Sequence, residues 1–122
     1  VEVIDSRYEN FKFSLEDVIA DNCSSAAFII GPWHPLDVAI EKLKIELIID
    51  GEVVQSGSSA AILGNPYESV VAAARLALQY AKPIPMGAYI LAGAATPAVY
   101  LKKGNAVKAI VEGLGEVGFT VV

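Results

Sequence analysis

The sequence predicts an α+β fold, a mixed and mostly antiparallel β-rich domain with two helices. Three observations lead there. Leu43, Ile45, Leu47 and Ile49 alternate with Lys44, Glu46 and Ile48 and run into Asp50-Gly51 before Glu52-Val53-Val54. Two turn residues that tolerate positive φ, set between such runs, specify a type I′ hairpin. Asn65-Pro66-Tyr67-Glu68 is a helix start, with an Asn cap, Pro at the first helical position and Glu three after the cap. The C-terminal third holds short apolar runs separated by glycines, without the helical spacers that a doubly wound sheet requires.

Taken in order, residues 1–5 read as a strand with Val1, Val3 and Asp5 on one face and Glu2 and Ile4 on the other. Phe11 and Phe13 alternate around Lys12 in the same way. Ser14-Leu15-Glu16-Asp17 has the form of a capping box, Asp17 replacing the usual Glu. The helix it opens should run through Ile19 and fray at Asp21-Asn22. Ala26 to Ile30 reads as an apolar strand stopped by Gly31-Pro32. The Asn65 helix should reach about Ala81, where Lys82-Pro83 ends it. Its Val70, Val71, Ala74, Leu78 and Ala81 form a stripe suited to core packing. Further strands are expected at 88–91, 98–101, 107–111 and 117–122. The 122 residues are read as a single domain.

The apolar fraction is 54% and the mean hydropathy +0.50, high for a soluble monomer. No run approaches the roughly 20 apolar residues of a membrane span. No signal peptide is recognisable either, so the excess points to surfaces meant for a partner and to an oligomer. A net charge of −5 and scattered basic residues argue against nucleic acid. The single cysteine, Cys23, suits a cytoplasmic protein and reads as a buried, inert thiol. The chain opens on Val1 rather than Met, which sets the expectation of a piece of a longer product.

Several residues bear on chemistry. A hard divalent cation takes oxygen ligands, usually more than one carboxylate. Glu2 can supply one, but there is no Glu-x-Glu pair, Asp5 lies on the other strand face, and Asp50 and Glu52 sit on a hairpin tip. Arg7 can pair with Asp5 or reach a substrate carboxylate bidentately. His34, the only histidine, lies in a Gly-Pro loop and reads as exposed. Gly57-Ser58-Ser59 lacks the companions that nucleophilic serine chemistry needs.

Residues 1–22, VEVIDSRYENFKFSLEDVIADN, resemble a segment of the 4-oxalocrotonate decarboxylases. These belong with the 2-oxopent-4-enoate hydratases in the fumarylacetoacetate hydrolase superfamily. The likeness extends through Ala20-Asp21-Asn22-Cys23-Ser24-Ser25, similar to the family's Ala-Asp-Asn-Ala-Ser, and through Ala60-Ala61-Ile62-Leu63-Gly64-Asn65-Pro66. Tyr8-Glu9-Asn10-Phe11-Lys12-Phe13 looks more like the decarboxylases than the hydratases. The family's Thr-Gly-Gly is Ala92-Gly93-Ala94 here, with Thr96 keeping a later threonine, and its Gly-Asp turn is Gly104-Asn105.

The resemblance implies a fold of the fumarylacetoacetate hydrolase C-terminal type, forming the C-terminal half of a longer protein. It implies Glu2 as a metal ligand and Ser24, Arg7 and Thr96 as substrate-binding residues. The complete site is expected to hold Mg²⁺ or Mn²⁺. The other two carboxylate ligands and the catalytic lysine and aspartate belong to the upstream half, so no catalytic residue is assigned in this chain. The implied reaction is metal-dependent decarboxylation of 2-oxo-3-hexenedioate (4-oxalocrotonate), a small 2-oxo dicarboxylate, to 2-oxopent-4-enoate in meta-cleavage catabolism of aromatics. The alternatives are a 2-oxopent-4-enoate hydratase and a non-catalytic assembly module. Expected partners are the N-terminal half or other subunits, and a hydratase enzyme. The isolated chain is expected to be inactive and to lack a tight metal site.

Overall fold

The computed structural model describes residues 1–122, which divide into two compact units, Val1–Gly31 and Pro32–Val122. Each has its own antiparallel sheet.

In the first unit, β1 (Glu2–Ile4) pairs with β2 (Ser25–Phe28), placing Glu2 opposite Phe28 and Val3 opposite Ala27. The ladder slips between Val3 and Ile4, and Ile29 extends it by donating its N–H to the Val1 carbonyl at 2.8 Å. Strand β2 thus begins one residue before the expected Ala26. Between the strands lies α1 (Leu15–Ala20), opened by the expected capping box. The Ser14 hydroxyl accepts from Asp17 N at 3.2 Å, and the Asp17 carboxylate accepts from Ser14 N at 3.0 Å. Tyr8, Phe11 and Phe13 pack edge to face, with centroids 6.3 and 6.5 Å apart.

The second unit is built on four strands in the order β4-β3-β5-β6. They are β3 (Lys44–Ile49), β4 (Glu52–Ser58), β5 (Ala106–Val111) and β6 (Gly115–Thr120). Asp50 (φ 52°) and Gly51 (φ 87°) form the positive-φ turn expected between β3 and β4. The register sets Ile45, Leu47 and Ile49 against Val111, Ala109 and Val107, and these in turn against Gly115, Val117 and Phe119. Period-2 alternation places all nine on one face. That face holds the two buried apolar residues of the chain, Val107 and Ala109.

Helix α2 (Pro66–Gln79) starts where expected, with the Asn65 side chain accepting from Tyr67 N at 2.9 Å. It ends two residues before Ala81. Ala81 N donates to the Leu78 carbonyl and Lys82 N to the Ala77 carbonyl, the paired bonds of a Schellman motif. Ala81 itself is left-handed, with φ 52°.

Three expectations fail. Phe11 to Phe13 is not a strand, because Phe11 closes a 3₁₀ turn spanning Glu9–Phe11. Residues 88–91 and 98–101 are not strands. Both are apolar runs, but neither pairs with another segment, and the sheet β4-β3-β5-β6 is complete without them. The α2 stripe is also not core, because no residue of the helix is buried and Val71 and Leu78 are 61% and 69% exposed. Nor does the chain cover Trp33, Leu36, Met86 or Tyr100. Two compact bodies of these lengths would together expose about 7,400 Å², whereas the chain exposes 8717 Å². The apolar excess read from composition therefore lies on the surface.

Candidate functional site

Glu2 lies in the first pair of the β1–β2 ladder, exposed, with the Val1 ammonium as its electrostatic neighbour. An exposed carboxylate on a paired strand is a residue type that can ligate a cation. However, no three His, Cys, Asp or Glu side chains lie close enough together to hold a metal ion.

Downstream of β1 the chain builds a tight polar cluster. Asp21, the C-cap of α1, is 8% exposed, and Ser24 is 2% exposed. Arg7 Nε lies 3.2 Å from Asp21 Oδ1, and Arg7 N donates to Asp21 Oδ2 at 3.1 Å. The rest of the guanidinium reaches carbonyls, Nη1 donating to Asp21 O at 3.1 Å and Nη2 to Ser25 O at 3.3 Å. The Ser24 hydroxyl donates to Asp21 Oδ2 at 3.4 Å, while Ser24 O accepts from Asp5 N at 2.8 Å. The carboxylate partner of Arg7 is therefore Asp21 and not Asp5. The sequence offered Asp5 as the local partner, but the turn after α1 brings Asp21 back across 14 residues.

That turn is strained. Asn22, Cys23 and Ser24 have φ of 53°, 55° and 60°, three successive left-handed residues with no glycine among them. Each costs roughly 1–2 kcal/mol for an L-residue. Such runs persist where surrounding bonds over-determine the backbone, and they gather at ligand clamps. Cys23 is exposed, contrary to the expected buried thiol. The reversed backbone turns Ser24 inward with Asp21 and leaves Cys23 outside.

In the second unit, Thr96 lies over β4. A Cβ built on Gly57 would overlap the Ala95 carbonyl oxygen and stand 3.0 Å from Thr96 Cγ2. Gly57 pairs with Ile45, so the 95–96 segment rests on the same sheet face as Val107 and Ala109. An isolated glycine within a strand pattern is the sequence signal for such a close approach. Ser59 is structural, its buried hydroxyl accepting from Leu43 N at 2.9 Å and donating to Ile40 O. His34 is exposed as expected, its Nε2 2.7 Å from Leu114 O. No helix is long and apolar enough to cross a membrane.

The first unit is thus a paired antiparallel frame that carries an exposed carboxylate, Glu2, and a cluster in which exposed Arg7 reaches buried Asp21 and Ser24. The chain belongs to the fumarylacetoacetate (FAA) hydrolase C-terminal family, whose model matches residues 5–122. It is 50% identical over 120 residues to a 4-oxalocrotonate decarboxylase of a Pseudomonas species, a match covering 98% of this chain and 47% of the relative. A 2-keto-4-pentenoate hydratase of Burkholderia vietnamiensis is 35% identical over 122 residues, covering 98% and 47%. Among solved structures, the 4-oxalocrotonate decarboxylase of Pseudomonas putida complexed with magnesium and adipate superposes with a TM-score of 0.93 at 41% identity. That match covers 99% of this chain and 47% of the other. The chain thus spans about half the length of the relatives it matches.

Proposed function

We propose that this chain is the C-terminal half of a metal-dependent decarboxylase acting on 2-oxo-3-hexenedioate. The observation that carries the reading is the identity gap, 50% to a decarboxylase against 35% to a hydratase over nearly the same residues. Adipate, bound in the similar solved structure, is a six-carbon dicarboxylate like the proposed substrate.

In this reading Glu2 supplies one ligand to Mg²⁺ or Mn²⁺, and the remaining carboxylates come from the upstream half. When bound, the cation supplies electron withdrawal at the 2-oxo acid end of the substrate. Breaking the bond to the distal carboxylate releases CO₂, and the electron pair moves through the conjugated system toward the ketone oxygen. A proton returned to carbon completes 2-oxopent-4-enoate. Ser24 contacts a substrate carboxylate, and Thr96 is a further binding candidate. Arg7, whose nitrogens already reach Asp21 and Ser25, acts by holding this cluster. The proton donor belongs to the upstream half. The full-length protein works in contact with its other subunits and with a hydratase that consumes its product.

Product analysis on the full-length protein tests this. With 2-oxo-3-hexenedioate and Mg²⁺, CO₂ and 2-oxopent-4-enoate should appear, and Glu2→Gln should abolish both. Formation of 4-hydroxy-2-oxopentanoate from 2-oxopent-4-enoate, without CO₂ release from the dicarboxylate, would assign a hydratase instead. Inactivity on both substrates would leave an assembly module.

A further inference from the structure

We infer that Asp21 is a positioning residue for substrate binding, whose buried carboxylate fixes Ser24 and, through Arg7, ties it to the strand carrying Glu2. The inference rests on the reading of Ser24 as a contact to the substrate carboxylate.

The first ground is where Asp21 stands. At the C-terminal end of a helix the exposed carbonyls make negative charge unfavourable, so a carboxylate at the C-cap of α1 does nothing for that helix. Burying it adds a desolvation cost unless it is paired and hydrogen-bonded. Both conditions are met by groups from elsewhere in the unit. Oδ1 takes Arg7 Nε, and Oδ2 takes the Arg7 amide and the Ser24 hydroxyl.

The second ground is the backbone between those partners. Asn22, Cys23 and Ser24 are all left-handed, and a strained turn needs external bonds to hold it. Asp21 grips it from its first end through Ser24 N, which donates to Asp21 O at 2.9 Å, and through the Ser24 hydroxyl. Asp5 N grips the Ser24 carbonyl from the side of β1. Asp5 and Arg7 lie three and five residues beyond Glu2 on the same stretch of chain. One carboxylate therefore sets the position of the serine relative to the metal-ligand strand. Charge-assisted bonds to arginine give it the stiffness for that role.

Steady-state kinetics on the full-length enzyme test this with Ser24→Ala, Asp21→Asn and the double variant. Each single change should raise KM for 2-oxo-3-hexenedioate about tenfold, a binding loss of about 1.4 kcal/mol, with kcat within about twofold. The double variant should be no worse than the weaker single, because both act through the same hydroxyl. A wild-type KM in Asp21→Asn, or effects that multiply in the double variant, would overturn the inference while leaving Ser24 as a substrate contact. A wild-type KM in Ser24→Ala would remove both. If Asp21→Asn does not fold, Arg7→Lys replaces it in the cycle. It keeps the charge and loses the guanidinium fork, and the same non-additivity is expected, with multiplying effects again decisive against the proposal.

Discussion

Asn105 donates its side-chain amide to the carboxylate of Asp50 at 2.7 Å, joining residues 55 apart in sequence. The other oxygen of Asp50 accepts from Ala106 N at 2.8 Å, and Asp50 N donates to the Ala106 carbonyl at 2.9 Å. Asn105 Oδ1 accepts from Lys102 N at 2.7 Å, so one amide closes its own turn and clasps the β3–β4 turn. Asn105→Asp removes the donor and sets one carboxylate against another. We expect a loss of about 1–2 kcal/mol of stability at neutral pH. Exchanging the pair, Asp50→Asn with Asn105→Asp, should recover at least half of it in urea titrations. An undiminished loss in the exchanged pair would show that the turn, and not the clasp, is what suffers.

Ala81 occupies the left-handed position of the Schellman motif that closes α2. Glycine takes that conformation without a Cβ penalty. Ala81→Gly should therefore stabilise the protein by about 0.5–1 kcal/mol, even though glycine costs more entropy to order. A lowered melting temperature would contradict the left-handed assignment.

Gly57 meets the Ala95 carbonyl at a distance no Cβ tolerates. Gly57→Ala must push the 95–96 segment off the sheet or bend β4. Overpacking of this kind costs about 1–3 kcal/mol. The Thr96 methyl resonance should shift more than those of β6 side chains on the same sheet. An unshifted Thr96 with unchanged stability would mean the close approach is absent in solution.

The hydrogen bonds from Ser14, its backbone amide first and its hydroxyl second, hold the Asp17 carboxyl below its ordinary 3.8. A carboxyl lowered on folding contributes stability above its unfolded pKa and loses it as pH falls through the folded value. The capping box should thus be intact at neutral pH and open only below about pH 3.8. The Ser14 amide shift should report that midpoint, and Ser14→Ala should raise it when followed on Asp17 itself. A midpoint at or above 3.8 would show the box unformed.

The stripe of α2, Trp33, Leu36 and Met86 leave large apolar side chains uncovered within this chain. In isolation, the 122-residue chain should self-associate at micromolar concentration in sedimentation experiments. A monomer at every concentration would show these faces to be tolerated in water.

Local chemistry was legible in the sequence wherever a few adjacent residues decide the conformation. The Asp50-Gly51 turn, the Ser14–Asp17 box and the Asn65 cap each satisfy a requirement of their own neighbourhood. What depends on distant partners was not. Apolar runs at 88–91 and 98–101 resemble strands, but a strand exists only where a ladder accepts it. The α2 stripe has the spacing of a core face, but periodicity marks what is to be buried and not what will cover it. In the site, family resemblance singled out Glu2, Arg7 and Ser24. Asp21, which binds two of them, was passed over as a helix end, and Gly57 gave only the weak signal of a glycine inside a strand.

The direct pairing of β3 with β5 also bears on how the chain folds. The two hairpins can close over short turns, but their union joins residues 56 apart. Bringing such ends together costs roughly 2–3 kcal/mol more in chain entropy than closing a three-residue loop. Hairpins should therefore form early, and the slow step should be their meeting, since long-range pairing sets the pace of β-rich chains. Until then the edges of β3 and β5 are open to other molecules, which makes crowded synthesis the most hazardous moment for this protein.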